Sequence, residues 1–109
     1  MKKQYSYKLR PGYGSGDLLI EFGDFENADS LVQDVLTLLK ANGFQFDDLQ
    51  DVWMNNEVWL HLTSENGKVT ITKDSWGLVF IMGEENQKDI LKIDKILFGS
   101  GIFEREEVD

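Results

Sequence analysis

Three stretches carry residue types that could do chemistry. His61 is the single histidine of the chain. An imidazole can move protons or bind zinc, but with no cysteine and no second histidine a zinc site would rest on carboxylates, an uncommon ligand set. Ser64 and Ser75 lie nearby in sequence, yet neither sits in a nucleophile-elbow sequence. His61 therefore reads as a structural or surface residue.

The string FDDLQD holds Asp47, Asp48 and Asp51. A calcium loop needs oxygen ligands at alternating positions, a central glycine and a terminal glutamate, an order absent here. Paired-carboxylate hydrolysis needs two acids about 5 to 9.5 Å apart across a cleft, a spacing that only a fold can set. The string reads as a solvated acidic loop. The third stretch, PGYGSGDLLIEF, places Gly12, Gly14 and Gly16 at alternate positions. A phosphate cradle requires such a loop to open a helix, whose free N–H groups face the anion. Here the loop opens a β-like run, and Asp17 stands where a kinase loop would carry its third glycine. It reads as a hairpin loop between strands at 4–10 and 17–22. No catalytic residue, metal site or cofactor is assigned.

More informative is the company the acids keep. Phe44, Phe46, Trp53 and Trp59 are interleaved with Asp47, Asp48, Asp51 and Glu57. Aromatic anchors ringed by charge are the usual anatomy of a protein interface. Phe44 and Trp53 have core positions available, whereas Trp59 alternates onto the polar face of its strand. The expected partner-binding set is Asp47, Asp48, Asp51 and Glu57 as electrostatic contacts, with Trp59 as anchor.

Charge supports that expectation. The 109 residues carry a net charge of −9, unevenly spread. Residues 1–10 hold four bases and no acid, residues 11–67 hold eleven acids against Lys40 alone, and the rest is mildly acidic. Nucleic-acid backbones are bound by clustered Lys and Arg, so direct nucleic-acid binding is not expected. A basic protein partner is, because complementary charge speeds encounter.

The elements that must position these residues follow from periodicity. With 41% hydrophobic residues and one proline, the chain has the composition of one folded domain, 1–109. NADSLVQDVLTLLKANGF is a helix, with Leu31, Val35, Leu38 and Leu39 inward, Asn27 or Asp29 as cap, and Gly43 ending it ahead of Phe44. Asp29, Gln33 and Asp34 are expected to face water. From Val52 to Met82 the period becomes two. Turns at Asn55-Asn56 and Asn66-Gly67 predict that Trp53 faces Val58, Leu62 faces Ile71 and Leu60 faces Lys73, with Trp59, His61 and Thr63 together on the polar side. LVFIM reads as a central strand buried on both faces, reached through the DSWG turn. A second helix runs over about Asn86 to Phe98, and IFEREEV supplies an edge strand. The fold class is α+β: an antiparallel meander of about four to six strands with two packed helices.

In size, acidity, absence of cysteine and α+β layout, the whole chain resembles the small acidic immunity proteins of bacterial contact-dependent inhibition and related polymorphic-toxin systems. That resemblance implies cytoplasmic binding of one cognate toxin domain, with no catalysis; the acidic charge makes a basic nuclease the most natural target, and no run approaches the roughly 18 apolar residues of a membrane span, so no membrane partner is expected. Those proteins share no common fold or site, so it assigns no residue. The alternatives are an acidic mimic of nucleic acid acting on a DNA-binding protein, and a small enzyme of unrecognised type.

Overall fold

The computed structural model describes residues 5–12, 16–23, 28–52, 56–83 and 85–106. Seven strands and two helices follow one another as β1 (Tyr5–Pro11), β2 (Leu18–Phe22), α1 (Ala28–Ala41), β3 (Gln45–Val52), β4 (Glu57–Ser64), β5 (Gly67–Asp74), β6 (Val79–Met82), α2 (Gln87–Gly99) and β7 (Phe103–Arg105). All strands share one sheet in the order β3-β4-β5-β6-β2-β1-β7. The expected α+β class holds, with one strand more than the expected range. Every described pairing is antiparallel except β1 with β7, which is parallel. The meander β3 to β6 lies on one side and the β1–β2 hairpin on the other, and α1 and α2 carry the chain across to the two sheet edges.

One sheet face is apolar and takes both helices. Leu60 and Leu62, Val69 and Ile71, Val79 and Ile81, and Ile20 and Phe22 are buried at alternate positions of four neighbouring strands. Leu31, Val35 and Leu39 of α1 and Ile90, Ile93 and Leu97 of α2 complete the cluster. Each such side chain contributes about 1.5 to 3 kcal/mol by leaving water, so this two-layer contact dominates the fold. Tyr5, Tyr7, Phe22 and Phe103 form an aromatic group under α2, with ring centroids 5.1 to 6.3 Å apart.

Helix α1 agrees with its sequence signals at its end, where Gly43 takes φ 92° and buried Phe44 donates its N–H to the Leu39 carbonyl. At its start, Asn27 lies outside the described residues. Asp29 is inside the first turn, where it pairs with Lys73 instead of capping. Asp34, expected to face water, is half-buried and accepts the Tyr5 hydroxyl at 2.7 Å.

Four further expectations change. FDDLQD is an edge strand, β3, because β4 offers it a ladder, and a β-bulge at Asp47 resets the alternation between Phe46 and Asp48. The β4–β5 turn is Glu65-Asn66 rather than Asn66-Gly67, so Leu62 faces Val69 and Leu60 faces Ile71. An Asn-Gly hairpin turn requires positive φ at both residues, whereas Asn66 keeps a negative φ and Gly67 alone takes 131°. Because the slip changes each partner by two residues, every side chain keeps its expected face. Val58 faces Asp51, not Trp53, which lies outside the described residues. Finally, β6 is central but covered on one face only: Phe80 and Met82 are half-exposed.

Helix α2 is fixed by two buried carboxylates. Asn86 caps its start and accepts the Asp89 N–H at 3.3 Å. The Asp89 side chain accepts hydrogen bonds from the Ser64 hydroxyl, from Asn66 Nδ2 at 2.9 Å and from Asn86 Nδ2 at 2.6 Å, joining the helix start to the β4–β5 turn. Burial alone pushes the Asp89 carboxyl up, but those three donors and nearby Lys92 outweigh it and hold the group below the usual carboxylate range. Midway along α2, Asp94 accepts the Tyr7 hydroxyl at 2.8 Å and Arg105 Nη1 at 2.9 Å, tying the helix to β1 and β7.

Replacing Asp89 with Ala strands one buried and two part-buried donors and should cost about 2 to 4 kcal/mol in urea unfolding at pH 7. A depressed folded-state pKa stabilises above the ordinary carboxylate value of about 4 and ceases to do so as pH falls through the folded value. The deficit of Asp89→Ala relative to wild type should therefore shrink in the acid limb of a stability–pH profile.

Candidate functional site

The face of the sheet opposite the helices carries no other described element. The registers arrange it in rows. One row runs Lys8, Glu21, Phe80, Thr72, Trp59, Gln50; beside it lie Arg10 with Leu19, then Met82, Thr70, His61 and Asp48. The centre is apolar or hydroxylic. Bases stand at the β1 side and acids at the β3 side.

Trp59 and His61 alternate with Leu60 and Leu62, so one-sided burial of the leucines places both rings on this open face. The Trp59 indole Nε1 donates to Glu57 Oε2 at 2.9 Å, and its ring meets the His61 ring edge-on with centroids 6.3 Å apart. His61 Nε2 lies 3.2 Å from Gln50 Oε1 and Nδ1 lies 3.2 Å from the Thr70 hydroxyl. An amide oxygen only accepts, so Nε2 carries the hydrogen and Thr70 donates to Nδ1. Both ring nitrogens thus have partners, the Thr70 hydroxyl at Nδ1 and the Gln50 amide oxygen at Nε2, which orient the ring. Among the described residues no three His, Cys, Asp or Glu side chains gather to hold a metal ion.

Of the expected binding residues, the fold brings four together on this face. Asp47 in the bulge accepts the Thr63 hydroxyl at 3.2 Å, Asp48 stands opposite His61, and Glu57 and Trp59 share β4. Asp51 is separated from them. The bulge sends it to the helix side of β3, opposite Val58, where it reaches the site only around the sheet rim. A concavity of about 590 Å³ opens beside Trp59 and His61, lined also by Thr70, Thr72 and Met82.

One residue escaped the sequence reading. Trp76 is 81% exposed at the β5–β6 turn. Asp74 Oδ1 accepts the N–H groups of Trp76 and Leu78, each at 2.9 Å, which fixes the turn that presents the indole. Asp74 pairs with Glu57 across β4 and β5, so this turn adjoins the acidic end of the open face. The DSWG turn signal was sufficient to find it, since a turn side chain in the third position has no core to enter.

Comparison with known protein families, with curated protein sequences and with solved structures finds no match to this chain. No helix among the described residues is long and apolar enough to cross a membrane.

Because no described element packs over the face that bears Trp59, Trp59→Ala should change stability by less than about 1 kcal/mol, whereas Leu62→Ala on the same strand should cost about 2 to 5 kcal/mol. Paired denaturation curves check the contrast.

Proposed function

We propose that this chain is a stoichiometric inhibitor of the immunity type, which binds a basic toxin domain, most naturally a nuclease, over that domain's positively charged substrate site. The observation that carries the reading is the coincidence of Trp59 with Asp47, Asp48 and Glu57 on a sheet face that no helix covers. Acids at the rim steer a basic partner inward, and the half-exposed indole, already oriented by Glu57, loses little freedom when the partner closes over it. Asp51 adds negative potential from the rim. The bases Lys8 and Arg10 limit the footprint to the β3–β5 side, toward the exposed Trp76.

The nucleic-acid mimic is the weaker alternative, because a mimic needs even negative charge, and Lys88 and Lys95 stand exposed on α2. An enzyme would need convergent reactive groups, whereas the His61 ring is held by Thr70 and Gln50.

Co-purification with the protein domain encoded immediately upstream of this gene, at low salt and again near 0.5 M, tests the function. A complex that forms faster at low salt and abolishes the partner's activity supports it; absence of a complex under both conditions overturns it. For the site, Trp59→Ala should weaken binding by about 2 kcal/mol or more. Joint replacement of Asp47, Asp48 and Glu57 by their amides should slow association about tenfold at low salt. Unchanged affinity and rate would show that the partner binds elsewhere.

A further inference from the structure

Trp76 is the most exposed large apolar side chain among the described residues. Its turn is fixed by the backbone and by Asp74. Besides the two N–H groups that Asp74 Oδ1 accepts, Gly77 donates its N–H to the Asp74 carbonyl at 3.2 Å and takes φ 85°, a conformation that favours glycine. None of these bonds involves the indole. The turn holds it out in water beside a concavity of about 590 Å³, which Ala28, Asp29, Val58, Lys73 and Asp74 line with it.

The charge around this indole has one sign. Lys73 is the base of the lining, and Asp29 neutralises it. Asp51, Glu57 and Asp74 stand at the same end of three neighbouring strands, and no ion pair among the described residues takes up any of them. Glu57 and Asp74 lie directly opposite one another on β4 and β5, a placement in which like charges work against the fold. A cation from outside relieves that repulsion. The same pair stands between the two tryptophans, since Glu57 accepts the Trp59 indole N–H and Asp74 holds the Trp76 turn.

We propose that an arginine side chain of the bound partner enters this concavity, its guanidinium stacked on the Trp76 indole and paired with Asp74, while Glu57 and Asp51 add negative potential. The turn uses Asp74 Oδ1, which leaves the second carboxylate oxygen for the guanidinium. Arginine suits the place better than lysine, because a planar guanidinium stacks on an aromatic face and keeps donors at its edge for a carboxylate. Its aliphatic stem packs on Val58. Asp51, which the bulge sends to the helix side opposite Val58, thereby gains a role that the open face denied it. The inference rests on the function proposed above for the identity of the partner, and carries the footprint from Trp59 round the end of the sheet to Trp76.

The peptide acetyl-Gly-Arg-Gly-amide tests the contact without the partner. Titrated at low salt into the isotope-labelled chain and followed by NMR, it should shift the Trp76 indole N–H and the amides of Ser75 and Gly77, with a dissociation constant of about 1 to 30 mM. The citrulline peptide, equal in shape but uncharged, should bind at least about tenfold more weakly. Trp76→Ala and Asp74→Asn should each weaken the arginine peptide similarly. Asparagine keeps an oxygen for both turn N–H groups, so the thermal melt of Asp74→Asn should stay close to wild type and separate lost contact from lost fold. In the complex with the upstream-encoded domain, Trp76→Ala should raise the dissociation constant about tenfold. If that domain does not bind the wild-type chain, the proposed function falls, and the peptide titration still decides this contact. An arginine peptide that leaves the Trp76 indole unmoved, a citrulline peptide that binds equally, or a partner complex indifferent to Trp76→Ala would each overturn the inference.

Discussion

The fold depends on how α2 is held. An apolar stripe would let the helix slide or rotate on a sheet of similar side chains, but Asp89 and Asp94 allow one seat only. A buried carboxylate is tolerable where donors surround it, and the donors come from separate places: Ser64 and Asn66 at the β4–β5 turn, Asn86 at the helix cap, Tyr7 on β1 and Arg105 on β7. Each carboxylate therefore joins segments distant in sequence. Together they specify the placement of the turn, both edges of the β1–β7 ladder, and the face α2 turns to solvent.

That constraint also sorts charge. With its acids committed inward, α2 presents lysines outward, while β3 at the far edge of the sheet presents acids. The acids on β3 have a second effect. Charge and a bulge both discourage another strand from adding to an open edge, and the opposite edge, β7, is only three residues long. The molecule is thus acidic along one rim and basic along the outer helix, and its net charge conceals the segregation.

The uncovered sheet face explains an oddity of composition. LVFIM is apolar at every position, yet only Val79 and Ile81 enter the core. Phe80 and Met82 lie among Leu19, Thr70, Thr72 and Trp59 on the open face, shielded partly by one another across the strands. This face thus has an apolar middle flanked by acids, and its rings are oriented by their own neighbours, Trp59 by Glu57 and His61 by Thr70 and Gln50.

Periodicity and turn residues by themselves determined the helices, the existence of most strands, and which side chains enter the core. These are local properties: the stripe of α1 needs only Leu31, Val35 and Leu39 at the right spacing. The placement of Trp59, His61 and Thr63 on one face was legible for the same reason, and survived a misplaced turn because a slip of two residues preserves parity. The tertiary structure alone decided what depends on distant partners. FDDLQD became a strand because β4 offered it a ladder, and its bulge separated Asp51 from Asp47 and Asp48. The Glu65-Asn66 turn prevailed with Asp89 holding Ser64 and Asn66 from another element. The order of strands, and with it which rim is acidic and which helix face is bare, rests on packing between residues such as Tyr5 and Phe103, 98 positions apart in the chain, which no local pattern encodes.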